Sequence, residues 1–237
     1  MRRMRHLKPR EIQGCQLALD ASIATSLYDA TSGGSLVAAN GAVARWEDQS
    51  GNARHATQVT SGNRPLRRVA PVGGLDAVEF DGSDDRLSYT LTGASAWTIF
   101  FALKWLNSSQ ISYRGLMSVG NAGVTGGSML LLRTGSLFVG SFGAADLNST
   151  YVPGTTPFTA SIRDQNNSTA IFAANGLAAG TTTASNPIAQ ASNQIGGLAG
   201  QSANIQAFQA AAYNVDIGEF VNKRLHCSAM RKWRING

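Results

Sequence analysis

The chain contains 237 residues, of which 43% are hydrophobic, 14% are charged and 26 are glycines. The hydrophobic content is enough for a core, and the low charge with many glycines favours an all-β protein over a helical one. The most apolar window, 97–106, is interrupted by Lys104, which excludes a membrane-spanning segment. The first ten residues are charged and no apolar stretch follows them, so we expect no standard secretory signal.

The net charge of +6 is concentrated at the two ends of the chain. Five basic residues lie in the first ten positions and five in the last fifteen: Arg2, Arg3, Arg5, Lys8 and Arg10, then Lys223, Arg224, Arg231, Lys232 and Arg234. The chain between them is nearly neutral. This pattern predicts a basic arm at 1–11 that anchors a domain at 12–237 to a partner. A solvated terminus is the alternative.

The first predicted elements are a short strand at 16–19 and a polar segment at 20–28 with weak helical or turn character. Gly33-Gly34 and Asn40-Gly41 then mark turns in a hairpin-like segment that ends at Trp46. These elements begin a β-rich chain.

The basic run at 64–68 contains three arginines. We expect a loop at the edge of the sandwich, with the arginines solvated or paired to nearby aspartates. A nucleic-acid patch is the weaker alternative, because no aromatic residues interleave for base stacking.

From residue 77 onward, short apolar runs recur at regular spacing and are separated by turn residues. Strands are predicted at 97–105, buried on both faces, and at 117–119, 129–133, 136–142, 158–163 and 169–174. Many short strands of this kind indicate a sandwich or a jelly roll. Between 176 and 206 small residues dominate, and a long loop and flat strands remain open alternatives.

The C-terminus is the helical exception. Asp216 is followed three residues later by Glu219, which is an imperfect capping-box-like start. Four apolar residues then recur at every fourth position and predict one face of a short helix: Ile217, Val221, Leu225 and Ala229. Basic residues in the last turns suit the helix dipole, which also explains much of the C-terminal charge.

Two cysteines, Cys15 and Cys227, lie near opposite ends of the chain. We expect two buried free thiols, because assembly in the cytoplasm is reducing. A disulfide is the alternative, since the termini of such sandwiches often lie close together.

Two loop motifs flank the arginine run. The first is Trp46-Glu47-Asp48-Gln49-Ser50-Gly51-Asn52, and the second is Phe80-Asp81-Gly82-Ser83-Asp84-Asp85-Arg86-Leu87, with Asn63-Arg64-Pro65 between them. Together they resemble the laminin-G-like branch of the concanavalin A-like lectin/glucanase superfamily, whose jelly-roll domains occur in bacterial surface proteins and phage virion proteins. Further matches are Leu19-Asp20-Ala21-Ser22, Ile171 to Gly176, Gln194-Ile195-Gly196-Gly197 and the tail from Tyr213 to Ile235. The resemblance implies a concanavalin A-like jelly-roll β-sandwich from about residue 12 onward.

That superfamily includes glucanases, whose catalytic carboxylates come from a Glu-x-Asp-x-x-Glu strand motif. The nearest match runs from Glu79 to Asp84, with Asp in place of the last Glu and a Gly-Ser turn where the strand should continue. The three histidines, His6, His55 and His226, accompany no nucleophile-elbow motif, and we expect them to be surface or packing residues. We therefore expect no enzymatic activity.

Calcium is the one cofactor that the residues suggest, because the two turns carry hard oxygen ligands. The candidate ligands are Asp48, Asn52, Asp81, Asp84 and Asp85. The alternative is that these side chains form Asx turns and pair with neighbouring arginines. For glycan binding, the tryptophans fit core positions, and the candidate stacking residues are Tyr113 and Tyr151, which we place in loops.

The resemblance and the missing export signal predict a non-enzymatic virion structural protein of a phage, a capsid decoration or fibre component made in the host cytoplasm. The sandwich is expected to face outward for adhesion or glycan binding. The basic arm would anchor it to other virion proteins, as a homo-oligomer or part of a symmetric assembly, with nucleic acid a less favoured partner and no membrane. The alternative is a cellular carbohydrate-binding or adhesion module.

Overall fold

In the described part of the chain, the apolar runs form two packed β-sheets followed by one α-helix, which confirms the predicted all-β sandwich. The computed structural model describes residues 6–92, 96–107, 114–119, 128–133, 137–142, 145–149, 151–165, 169–182, 193–198 and 201–235. No helix in these ranges is long and apolar enough to cross a membrane.

The strands of the first half of the chain are β1 (Cys15–Asp20), β2 (Leu27–Tyr28), β3 (Arg45–Trp46), β4 (Ala56–Thr57), β5 (Leu66–Val72), β6 (Leu75–Asp81), β7 (Leu87–Tyr89), β8 (Trp97–Trp105) and β9 (Arg114–Val119). Those of the second half are β10 (Ser128–Arg133), β11 (Leu137–Phe142), β12 (Ala145–Asn148), β13 (Pro157–Gln165), β14 (Thr169–Ala174), β15 (Leu177–Thr182), β16 (Asn193–Ile195), β17 (Gly197–Leu198), β18 (Gln201–Ser202) and β19 (Asn204–Tyr213). Helix α1 spans Gly218–Trp233.

The first sheet has the order β15-β14-β13-β8-β19-β6-β5, and β1 also pairs with β19. Strand β8 is buried along nearly its whole length, as predicted. Strand β19 lies beside it, and nine consecutive residues of β19 are buried. One edge of β19 pairs with β6 over 204–207 and with β1 over 209–213. The strand therefore connects three parts of the chain that are far apart in sequence.

The second sheet has the order β12-β11-β10-β9-β16-β7-β4-β3-β2, with β17 and β18 branching beside β9. Its pairing β2 to β3 confirms the hairpin-like segment that ends at Trp46. The predicted hairpin around 132–137 is formed by β10 and β11. The side chains of Trp46, Trp97, Trp105 and Trp233 are all buried, as the core assignment expected.

Strand β13 explains how the helix joins the sandwich. Its apolar residues, Phe158, Ala160 and Ile162, alternate with Thr159, Ser161 and Arg163, and all six are buried. Since alternate side chains of a strand point to opposite faces, the polar set lies on the face that α1 covers. The guanidinium of Arg163 pairs with Asp216, just before the helix, at 2.9 Å. The polar face of β13, whose alternating pattern is typical of a solvent-exposed strand face, is therefore an interface with α1.

The predicted helix face is confirmed, with Leu225 and Ala229 buried, but the predicted capping box is absent. Ile217 is the N-cap and makes no side-chain cap hydrogen bond. Asp216 instead accepts a hydrogen bond from the N–H of Gly218 at 2.9 Å. Asp216 precedes the N-cap and also pairs with Arg163, so it does not occupy the position from which a capping box with Glu219 could form.

Two of the three arginines of the run, Arg67 and Arg68, belong to strand β5, whereas Arg64 precedes the strand, as the predicted loop requires. Leu66, Arg67 and Arg68 pair in register with β6, at the edge of the first sheet. The guanidinium of Arg67 pairs with Asp76 at 2.7 Å, and that of Arg68 pairs with Glu79 at 2.6 Å. Carboxylates on the neighbouring strand neutralise these two arginines, so a polar edge strand is stable there.

The two cysteines are free, as expected, but both are half-buried rather than buried. Burial raises the pKa of the Cys15 thiol to about 12, so this thiol stays protonated at neutral pH.

Candidate functional site

The N-terminal segment at 6–11 lies against the C-terminal helix. The backbone N–H of Leu7 donates a hydrogen bond to Oγ of Ser228 in α1 at 2.6 Å. The hydroxyl of Tyr213 donates to the carbonyl of Pro9 at 3.3 Å, and Pro9 is buried at the start of a short 3-10 helix. Proline suits this first position because its missing N–H needs no partner there. Part of the predicted arm is therefore built into the fold.

Exposed basic side chains lie on this segment, on α1 and at the C-cap of α1. They are Lys8, Arg10, Lys223, Arg224, Arg231 and Arg234. None of them has an ion-pair partner within the described ranges. We refer to these six residues, with the half-buried Lys232, as the cationic face.

A cavity of about 570 Å³ opens on the cationic face, beneath the N-terminal segment. Leu7, Leu19, Ile23 and Ala229 give it an apolar lining. Four members of the cationic face stand around it: Lys8, Arg10, Arg231 and Lys232. Its size falls within the range of small-ligand sites, roughly 300 to 1,000 Å³.

Asp20 is the acidic side chain that reaches this cavity in the described structure, and its oxygens are occupied. One oxygen accepts hydrogen bonds from the N–H and the hydroxyl of Ser22, at 3.1 and 2.6 Å. The other pairs with the ammonium of Lys232 and accepts from Gln209 at 3.4 Å. The remaining cations give the cavity an excess of positive charge.

A second depression of about 480 Å³ continues along the helix and shares Leu7, Ser228 and Arg231 with the cavity. It ends at Phe220, whose side chain is 72% exposed. The guanidinium of Arg224 lies 5.7 Å from the centre of the Phe220 ring, within the range of a cation–π contact.

The second loop motif brings three carboxylates together. Single oxygens of Asp81, Asp84 and Asp85 all lie within 4.8 Å of one another. Asp81 and Asp84 are exposed, whereas Asp85 is buried and accepts a hydrogen bond from the N–H of Asp81 at 3.0 Å. Burial, with the neighbouring carboxylates, raises the pKa of Asp85 to about 6. We refer to these residues as the acidic trio, a candidate cation site.

The other two candidate calcium ligands do not belong to the trio. Asp48 is buried and accepts hydrogen bonds from the N–H groups of Ala18 and Ser50, both at 2.8 Å, and from that of Arg54 at 3.1 Å. The amide of Asn52 donates to the carbonyl of Cys15 at 3.0 Å. The alternative of structural turn residues therefore describes this first motif, because its polar atoms tie the loop to β1.

The carboxylate nearest to a glucanase motif is engaged in structure. Glu79 accepts from the guanidinium of Arg68 on one oxygen and from the amide of Gln206, at 2.8 Å, on the other. A general acid or nucleophile needs a carboxylate that faces a substrate. The contacts of Glu79 hold together β5, β6 and β19 instead.

A serine and a histidine that the sequence did not single out together are paired in the interior. Nε2 of His226 lies 2.8 Å from Oγ of Ser161, and Nδ1 lies 2.7 Å from Oγ1 of Thr159. All three side chains are fully buried, and burial lowers the pKa of His226 to about 3. Only the i, i+2 spacing of hydroxyls in β13, combined with a helix histidine, could have indicated this contact.

The remaining predicted site residues are Tyr113, Tyr151 and the arginines of the arm. Tyr113, Arg2, Arg3 and Arg5 lie outside the described residues. Tyr151 is half-buried, its ring centre is 5.6 Å from that of Phe158, and its hydroxyl lies 3.4 Å from the amide of Asn175. Its ring thus contributes to the margin of the core, and a role in stacking on a glycan stays a prediction.

Comparison with known proteins gives structural relatives only. No protein-family model and no curated protein matches the chain. A sialidase of Trypanosoma rangeli, solved in complex with sialic acid, matches with a TM-score of 0.62 at 12% identity, over 94% of this chain and 34% of the sialidase. The binding domain of Paraclostridial Mosquitocidal Protein 1 matches with a TM-score of 0.64 at 13% identity, over 92% of this chain and 52% of that domain.

The binding domain of botulinum neurotoxin serotype D/C also matches, with a TM-score of 0.58 at 11% identity, over 91% of this chain and 52% of that domain. The chain thus spans about a third of the sialidase and about half of the two toxin domains. At these identities the likeness establishes the fold, a β-sandwich of the jelly-roll kind, and not an activity.

Proposed function

We propose that this chain is a non-enzymatic binding module with a lectin-like jelly-roll fold, and that it serves as a structural protein of a phage virion, as a capsid decoration or a fibre component. The cationic face is the observation that carries the proposal. Unpaired exposed cations on one surface attract a partner of opposite charge, and here they sit where both ends of the chain meet. We infer that this surface anchors the module to other virion proteins.

The binding role of the sandwich itself is supported by two neighbours in fold, the binding domains of Paraclostridial Mosquitocidal Protein 1 and of botulinum neurotoxin D/C. It is also supported by the resemblance of the loop motifs to lectin-like domains. In this arrangement α1 lies at the end of the module that is anchored, and the rest of the sandwich faces outward for adhesion or glycan binding.

The non-enzymatic character is supported by the two groups that come nearest to catalytic geometry. Glu79 is engaged by Arg68 and Gln206, and the pair of Ser161 and His226 is sealed from solvent. We expect no release of fluorophore from methylumbelliferyl sialoside or glucoside substrates. Turnover that is lost on Glu79→Gln would reverse this conclusion.

The experiment that tests the anchoring role compares solution masses by light scattering. In the variant, serine replaces the five basic residues of the arm: Arg2, Arg3, Arg5, Lys8 and Arg10. We expect the wild-type protein to form a defined homo-oligomer and the variant to be a folded monomer. A Lys104→Ser variant of β8 is the control and should assemble normally. Two well-folded monomers would remove the virion anchor from consideration.

The second candidate function is a cellular carbohydrate-binding or adhesion module, which the same toxin domains support. A glycan array separates the two functions when it is read together with the solution mass. Glycan binding by a monomer favours the cellular module, whereas assembly through the cationic face favours the virion protein.

A further inference from the structure

The cavity and the second depression lie next to each other along α1 and share Leu7, Ser228 and Arg231, with the hydrogen bond from Leu7 to Ser228 between them. We refer to the two depressions together as the groove. Along the helix, it extends from Arg231 to Phe220. Eleven residues at 1.5 Å per residue give a length of about 16 Å, which is the span of roughly five residues of extended chain. The groove therefore has the dimensions of a short peptide.

The floor of the groove is apolar at both ends. Leu19, Ile23 and Ala229 line the deep end, and Phe220 is exposed at the shallow end. An exposed apolar surface with a polar rim is typical of an interaction site. A side chain of leucine size can enter the deep end, where the cavity measures about 570 Å³.

The rim of the groove has one sign of charge. The segment at 6–11 and the helical region at 218–235 carry seven basic residues against two acidic ones, Glu11 and Glu219. Lys8, Arg10 and Arg231 stand over the cavity without ion-pair partners in the described structure. The chain's own residues 1–5 add three arginines and so carry the wrong sign to fill the groove.

We propose that this groove binds a short acidic peptide segment of a partner protein, with one aliphatic side chain in the cavity and carboxylates paired to Lys8, Arg10 and Arg231. The inference rests on the proposed anchoring role and names the chemistry of the partner. A nucleic acid fits less well, because single strands are held by a series of aromatic side chains. Within the described residues the two depressions offer only the aromatic rings of His6 and Phe220.

The test uses fluorescence anisotropy with a labelled seven-residue peptide of glutamates with leucines at the third and sixth positions. We expect binding at low salt that weakens at least tenfold when serine replaces the leucines. The charge reversal Arg10→Glu with Arg231→Glu should weaken binding at least tenfold, and Lys104→Glu should leave it unchanged. In labelled-amide NMR spectra of the wild-type protein, the peptide should shift the signals of Leu7, Ile23 and Ser228.

Several results would overturn the inference. These are no binding at millimolar peptide, equal binding of the leucine-free peptide, and binding that survives the double charge reversal. Tighter binding of an oligothymidylate through the same arginines would assign the groove to nucleic acid instead. Failure of the peptide while the wild-type protein still assembles through the arm would reject the groove and leave the anchoring role intact.

Discussion

Nε2 of His226 lies 2.8 Å from Oγ of Ser161 in the layer between α1 and β13. A distance of this kind joins nucleophile and base in many hydrolases. Here both side chains are buried, and the partner on Nδ1 is the hydroxyl of Thr159 rather than a carboxylate. The pair links the helix to the sheet, and the helix carries most of the cationic face, so this contact helps to hold that face in place.

His226 should make the protein sensitive to acid. Its pKa is lowered from 6.5 to about 3 in the folded state, so below pH 6.5 the unfolded chain binds a proton that the folded chain refuses. Stability therefore falls as the pH falls from about 6.5 toward 3, by about 2 kcal/mol between pH 7 and pH 5. Urea unfolding of the wild type and of His226→Gln at both pH values measures the effect.

The His226→Gln variant should be less stable at pH 7, by about 1 to 3 kcal/mol, but should lose less on acidification. His6→Gln is the matched control, because His6 is exposed and should keep the wild-type pH dependence. An unchanged pH slope in His226→Gln would contradict the assignment.

Asp85 should make the protein less stable as the pH rises, which is the opposite of the effect of His226. Its pKa is raised from 3.8 to about 6 in the folded state, so its contribution to stability is present below pH 3.8 and lost as the pH rises through 6. Asp85→Asn should therefore stabilise the protein at pH 7, by at most about 3 kcal/mol, and have little effect at pH 3.5. Asp84→Asn is the control, because Asp84 is exposed, and this variant should be stabilised less at pH 7.

Calcium separates the two interpretations of the acidic trio. A cation bound by Asp81, Asp84 and Asp85 would offset their repulsion, so millimolar calcium should raise the unfolding midpoint of the wild type more than that of Asp85→Asn. Magnesium at the same ionic strength is the control. Equal responses of the two proteins would leave these residues as turn formers only.

Asp48 should matter for stability whether or not calcium is present. Asp48→Ala removes the acceptor of three backbone N–H groups in a buried loop, at a cost of about 3 kcal/mol or more. Chelation with EDTA should not alter this loss. A loss that disappears in EDTA would show that Asp48 holds a metal after all.

Gly196 should tolerate no side chain. Its φ is +85°, and a Cβ added there would lie 1.9 Å from Cδ1 of Phe80. Gly196→Ala should cost about 3 kcal/mol or more, since backbone strain and overpacking both contribute. Gly51→Ala is the control: its φ is +92° with nothing within 4 Å of the added Cβ, so only the strain of roughly 1 kcal/mol remains. Similar melting temperatures for the two variants would contradict the prediction.

Local patterns in the sequence determined much of the fold. The apolar run of β8, the turn-separated strands β13 and β14, and the i+4 repeat in α1 each depend on neighbouring residues, so period and turn chemistry were sufficient to predict them. The predicted burial of the tryptophans followed in the same way. Strand β19 was missed, because an alanine-rich segment has little β-propensity and becomes a strand only where β8, β6 and β1 supply its partners.

Only part of the candidate site could be predicted from the sequence. The basic residues at both ends, and the clustering of Asp81, Asp84 and Asp85, could be read from the sequence. The sequence alone could not reveal that residues 6–11 pack on α1 or that a cavity lies beneath them. Nor could it reveal that Arg67, Arg68 and Asp48 already have partners within the fold. Those contacts join residues that lie on different elements of the fold, in the case of Leu7 and Ser228 near opposite ends of the chain. Only the tertiary packing decides which charges are neutralised and which remain without an ion-pair partner.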